Sequence, residues 1–169
     1  MSHTKGGQFG ERRGTLGMRE RFKDARHDTY QERQKWPEPT RCTECGAVFA
    51  SGRWTWNIAP APAHETVCPA CKRIADHMPA GIVSISGTFF EGHRDEIVNL
   101  IHNVEELEKG EHPLERMIAI RDDPEGTSVT TTGVHLARRI GEALESAYKG
   151  KLIVQYADQE EHVRVSWNR

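Results

Sequence analysis

The chain has 169 residues, 36% of them hydrophobic and 28% charged, and a net charge of −2. This is the size of one ordinary domain, or of two small modules and a tail, and it lies on the polar side for a folded protein. No apolar run reaches the roughly 18 residues that a membrane span needs, and the start lacks the apolar core of a secretory signal, so a cytoplasmic protein with no membrane partner is expected.

The total charge hides an asymmetry. Residues 1–41 contain ten Lys/Arg against six acids, whereas the remainder carries −6. A basic arm on an acidic body suits a polyanionic partner, because cation–phosphate contacts release counterions; a solvated terminus with no partner gives the same count. Gly6, Gly7, Gly10, Gly14 and Gly17 punctuate the first segment, which is expected to be disordered. Met18, Phe22 and Ala25 recur at helical spacing within a charged stretch, a stripe too thin to hold a helix without a partner. Pro37 and Pro39 then form a stiff linker. Residues 1–39 are therefore read as a basic, largely disordered arm and linker.

Residues 40–79 contain all four cysteines, as Cys42-Thr43-Glu44-Cys45-Gly46 and Cys68-Pro69-Ala70-Cys71, with 22 residues between the pairs. In a reducing compartment two Cys-x2-Cys pairs read as metal ligands, and four soft thiolates suit a closed tetrahedral Zn²⁺ site. Cys42, Cys45, Cys68 and Cys71 are thus predicted to hold a structural zinc in a zinc ribbon, with iron or a redox role as the alternatives. Val48-Phe49 and Trp54-Thr55-Trp56 flank Ser51-Gly52 as a short hairpin. Trp54 and Trp56, two apart on a strand, share a face; they either pack on the knuckles or offer a stacking platform to a base, with Arg53 beside them. Arg41, Arg53, Lys72 and Arg73 lie near the knuckles, where they would meet phosphate or offset the negative charge of a tetrathiolate centre.

Residues 80–169 alternate between the two periodicities. Gly81–Ser86 reads as a strand, with Val83 and Ile85 on one side. Gly92–Lys109 reads as an amphipathic helix with Ile97, Leu100, Ile101, Val104 and Leu107 in its stripe, ended by Gly110. Leu114–Arg121 reads as a strand with Ile118 and Ile120 facing one way and Met117 and Ala119 the other; a turn at 122–126 leads to the strand Thr127–Thr131. Thr132 is placed to cap a helix that buries Leu136, Ala137, Ile140, Leu144, Ala147 and Tyr148. Lys151–Ala157 and His162–Trp167 close the chain as a hairpin. The order β-α-β-β-α-β-β predicts an α+β, ferredoxin-like domain with both helices on one face of an antiparallel sheet and the seventh element extending an edge. The other face is polar and lacks the aromatics on which an RNA-recognition motif stacks bases.

No nucleophile, acid/base pair or phosphate-binding loop has convincing spacing, so the chain is not expected to be an enzyme and no small-molecule substrate is evident. Glu91-Gly92-His93-Arg94-Asp95 reads as a solvated helix start, and His64, His102, His112, His135 and His162 as surface or packing residues. Arg138 and Arg139, with His135, present positive charge on an exposed helix face; they either bind phosphate or pair with Glu142 and Glu145.

The four-cysteine layout, the segments Gly81-Ile82-Val83-Ser84-Ile85-Ser86-Gly87 and Glu96-Ile97-Val98-Asn99-Leu100-Ile101, and the run from Thr131 to Ile140 resemble small bacterial NMD-type proteins, named after the nonsense-mediated-decay-linked ribosome export adaptor of archaea and eukaryotes. The resemblance covers roughly residues 40–157. It implies a ribosome- or RNA-associated zinc-ribbon protein. The competing expectation is a protein-interaction or regulatory module that uses the polar sheet face or an edge strand and has no nucleic-acid partner.

Overall fold

The structure, a computed structural model, describes Tyr30 and residues 35–157, 159 and 161–169. The glycine-rich segment and, apart from Tyr30 and Lys35, the charged stretch around Met18 lie outside the described residues. Among the described residues, no helix is long and apolar enough to cross a membrane.

The chain is mixed α+β and builds two sheets. The first contains β1 (Thr40–Cys42), β2 (Val48–Ala50), β3 (Arg53–Thr55) and β4 (His64–Thr66) in the order β3-β2-β1-β4. The β2–β3 turn places Ser51 at φ 53° and Gly52 at φ 76°, the paired positive values that match the twist of a two-residue hairpin. Both turn amides donate to the Glu38 carboxylate, at 2.6 and 3.1 Å. Helix α1 (Pro69–Asp76) follows, with Cys68 as its N-cap and Pro69 in its first turn, the position where proline's missing N–H costs nothing.

The second sheet combines β5 (Gly81–Ser86), β6 (Met117–Asp123), β7 (Gly126–Thr131), β8 (Lys151–Ala157) and β9 (His162–Asn168) in the order β6-β7-β5-β9-β8. Three helices accompany it: α2 (Thr88–Gly92), α3 (Arg94–Glu111) and α4 (Val134–Tyr148). Val83, Ile85, Val129, Val163, Val165 and Trp167 form one core with Ile97 and Ile101 of α3 and with Leu136, Ala137, Ile140 and Leu144 of α4. Alternation therefore buries one sheet face under the helices and leaves the other open.

The sheet departs from the ferredoxin-like expectation at its last strand. β9 does not extend an edge; it enters between β8 and β5, and runs parallel to β5 from Gly81↔Val163 to Ser86↔Asn168. The sheet is consequently mixed. The cause is visible in the strands: Val163, Val165 and Trp167 are almost fully buried, whereas in β8 Leu152 and Val154 are half-buried and Tyr156 is exposed. The strand in the central place is thus the one whose inner face is completely covered.

Several local expectations are also corrected. The helix expected over 92–109 is α3, which starts at Arg94; a further short helix, α2, precedes it, and the two are separated by His93, whose ring stacks on Phe89 with centroids 4.0 Å apart. Gly110 does not end α3, which runs to Glu111. Leu107, placed in the buried stripe, is 74% exposed, and the inward position of that turn belongs to Glu108, whose side chain is 13% exposed. In β6 the register shifts between Met117 and Ala119, so Met117 and Ile120 both pack on the core. A single extra residue in one strand reverses which side chains face inward. Thr132 does not cap α4: its hydroxyl accepts the Arg116 N–H at 2.9 Å and donates to Leu114 O at 2.6 Å. The Glu115 carboxylate instead accepts the Leu136 N–H in the first turn, at 2.8 Å.

Gly141 sets the distance between α4 and the sheet. A Cβ there would lie 2.6 Å from Val165 Cγ1 and 2.9 Å from Leu152 Cδ1. Val165 is 1% exposed and cannot yield. Gly141→Ala is therefore expected to destabilise the domain by about 1–3 kcal/mol of overpacking, less up to ~1 kcal/mol of helix propensity; denaturant unfolding checks this.

Candidate metal centre and open sheet face

Each cysteine pair is shaped by its own backbone. The first knuckle is closed by Cys42 N–H donating to Ala47 O at 2.8 Å and Gly46 N–H to Cys42 O at 3.0 Å. Gly46 sits at φ 78°, where a side chain would be strained. The second pair uses the start of α1: Cys68 Sγ accepts the Cys71 N–H at 3.4 Å, and Cys42 Sγ accepts the Cys68 N–H at 3.2 Å across the pairs.

The four Sγ atoms lie within 4.8 Å of one another, with Cys42–Cys71 at 3.9 Å and Cys45–Cys68 at 3.8 Å. Sulfurs arranged tetrahedrally at about 2.3 Å from a central ion would be about 3.8 Å apart. The donor set therefore fits a metal ion. Burial opposes ionisation of Cys42, but amide donation from Cys68, Cys45 and Glu44 outweighs it and brings that thiol down to about 7. Burial pushes Cys45 and Cys68 up. The metal ion would have to displace protons from the latter two.

The cation that meets these sulfurs comes from the second module. Arg116, just before β6 and 9% exposed, donates from Nη2 to Cys71 Sγ at 3.0 Å and to Cys68 Sγ at 3.6 Å. Burial alone would lower its pKa; donation to Cys71 and the charges of Cys71, Cys68 and Cys45 raise it instead. Leu114 also packs on the cysteine cluster. Sequence reasoning missed Arg116, because nothing local distinguishes it from other arginines and its partner is 45 residues away.

The residues singled out near the knuckles have separate fates. Arg73 is 5% exposed; it donates to Met78 O at 3.1 Å, with its guanidinium over the Tyr30 ring at 4.5 Å. Lys72 Nζ sits 5.6 Å from the Trp36 ring centroid. Arg41 pairs with Glu65 at 2.7 Å in an exposed bridge. Trp54 packs on the cysteine cluster, edge-on to Trp36 at 5.8 Å and tilted against Phe49 at 5.7 Å. Trp56, 38% exposed, donates its indole N–H to Lys109 O at 2.6 Å, at the end of α3. Both indoles thus make contacts within the protein, and Arg53 is exposed beside them. Arg138 pairs with Glu142 at 3.4 Å, and Arg139 with Glu108 at 3.0 Å and Glu142 at 3.2 Å.

The uncovered face of the second sheet gathers the charge that the ribbon does not. Across β6-β7-β5-β9-β8 one register row is Arg121, Ser128, Ser84, Ser166 and Ile153, and the next is Ala119, Thr130, Ile82, Arg164 and Gln155. Lys151 stands opposite Asn168 in the row beyond. Arg121, Arg164 and Lys151 are all exposed. The face is rich in hydroxyls, and its three cations outnumber the exposed Asp123, two residues after Arg121 on the same side, on a body that is acidic overall. Alternation along β8 and β9 puts Lys151 and Arg164 on the side opposite Leu152, Val163 and Val165.

These features define an α+β protein with a four-cysteine cluster whose geometry fits a metal ion, docked on a five-stranded sheet domain. Comparison with protein-family models, with curated proteins and with solved structures returned no match.

Proposed function

We propose that the protein is a non-enzymatic, cytoplasmic zinc-ribbon protein that binds structured RNA, ribosomal RNA being the form that its resemblance to NMD-type proteins implies. Zinc is the ion of choice, since four thiolates leave it no open position and hold it structurally. The observation that carries the reading is the concentration of Arg121, Arg164 and Lys151 on the open sheet face of a body whose remaining charge is negative. Guanidinium and ammonium groups among serine and threonine hydroxyls suit a phosphate backbone and its 2′-hydroxyls, without stacked bases. The basic residues before Cys42 add a second cationic segment. Arg41 and Arg138 are in exposed ion pairs, which phosphate can exchange.

Binding of a structured ribosomal RNA fragment should weaken steeply with salt, and an Arg121→Glu/Arg164→Glu double variant should bind less tightly with a log–log salt slope smaller by about 2. Both sites are exposed, so the fold should survive. A flat salt response, or a double variant that binds like the parent, would sink the proposal. A protein partner is the second reading, favoured by Ile153 and Tyr156, 41% and 44% exposed on the edge strand β8; partners retained after nuclease treatment would support it.

A further inference from the structure

The last turn of α3 and the first turn of α4 bring together groups that the reading above does not use. Glu108 lies in the last turn of α3, His112 is the extended residue that caps its C-terminus, and His135 is the second residue of α4. One carboxylate oxygen and two imidazole nitrogens from these side chains lie within 4.8 Å of one another. His135 Nε2 is 2.9 Å from Glu108 Oε2, and the His112 and His135 rings meet edge-on with centroids 5.9 Å apart. We propose that Glu108, His112 and His135 form a second metal site, separate from the cysteines, for a first-row divalent transition ion such as Zn²⁺ or Co²⁺.

Three observations carry this. First, the chemistry of the donors differs from the ribbon's: two imidazoles and one carboxylate are the three-ligand set that suits such ions and leaves coordination positions to spare. Second, Glu108 is oriented. Arg139 Nε donates to its Oε1 at 3.0 Å, which fixes the carboxylate and leaves Oε2 toward the histidines, the kind of outer support that tunes ligand geometry. Glu108 is also mostly covered, with 13% of its side chain exposed, in a turn where the helix pattern calls for an apolar residue. Third, the site opens on a space. A groove of about 430 Å³ is lined by His112 and His135 together with Arg53, Trp54, Leu114 and Glu115. The remaining positions of a bound ion would face this groove, at the seam between the ribbon and the sheet domain, where water or an anionic oxygen ligand could reach them. His112 is exposed and can close the last ångström by rotating, replacing the His135–Glu108 hydrogen bond with bonds to the ion.

The test uses the full chain with its cysteine site already filled with zinc. Co²⁺ is titrated in and followed by isothermal calorimetry and visible absorption. The expected result is one further equivalent of Co²⁺, with weak d–d bands and no thiolate charge-transfer band, and a loss of affinity of about tenfold or more in His112→Ala and in Glu108→Gln. His112 is exposed, so its replacement should leave the fold intact, and the circular dichroism of both variants is the control. The proposal is overturned if zinc-filled protein takes up no further ion, if the added ion shows thiolate bands, or if folded His112→Ala binds Co²⁺ like the parent. The last outcome would assign the uptake to other histidines and leave Glu108, His135 and Arg139 as an ion-pair network.

Discussion

Replacing Arg116 by methionine is expected to lower stability by about 3 kcal/mol and to weaken metal binding at the four cysteines by about 10–100-fold. A tetrathiolate centre holding a divalent cation keeps two negative charges. Arg116 faces them from a position 9% exposed, with donor–sulfur distances of 3.0 and 3.6 Å. Methionine preserves much of the volume, so the loss isolates the charge and the hydrogen bonds. Arg116→Lys keeps the charge as a point on a flexible stem without the planar fork, and should recover part of the affinity. Metal transfer to a chromogenic chelator measures the first quantity and denaturant unfolding the second. Release curves for Arg116→Met that overlay the parent's would show that the guanidinium does not support the centre. Because Arg116 N–H also donates to Thr132, the same residue joins the cysteine cluster to the start of α4.

What could be read from the sequence was what depends on neighbours in the chain. The knuckles need only Cys42, Cys45, Cys68 and Cys71 at their spacings with Gly46 to turn the backbone, and the two module-scale segments follow from periodicity in stretches such as 81–86 and 134–148. Long-range choices were not legible. That β9 inserts beside β5 depends on comparing the inner faces of two strands that both alternate, and a one-residue bulge in β6 is silent in the pattern. Glu108 illustrates the limit: at helical spacing Leu107 looks like the buried residue, yet the last turn of α3 passes over the ends of His135 and Arg139 and turns its carboxylate to them. Arg116, Glu115 and Glu108 all act on partners more than twenty residues away.

Removing the metal should unfold the ribbon and leave the sheet domain standing. The buried apolar residues of the ribbon are Cys42, Ala47, Val48, Phe49, Cys68 and Ala70, which is small against an ordering cost of roughly 1–2 kcal/mol per residue over its strands and turns. A structural Zn²⁺ contributes an apparent 10–16 kcal/mol in comparable small modules. The sheet domain has thirteen buried residues in one cluster, including Trp167, and contains none of the cysteines. The four tryptophans separate the two halves: Trp36 and Trp54 pack together near the knuckles and Trp56 sits just past β3, whereas Trp167 is fully buried under α4 and donates to Lys149 O at 2.7 Å. After chelation, iodide should gain access to Trp36 and Trp54 and not to Trp167, and amide exchange should accelerate over residues 40–78 while residues 81–168 keep their protection. Adding Zn²⁺ back should restore both. If Trp167 and the amides of β5 and β9 lose protection together with the ribbon, the two modules form one cooperative unit. The Arg116–Cys71 contact is then the first place to look for the coupling, and Arg116→Met should separate the transitions. If chelation changes no protection at all, the cysteines do not hold the ribbon together, and the zinc-ribbon reading fails.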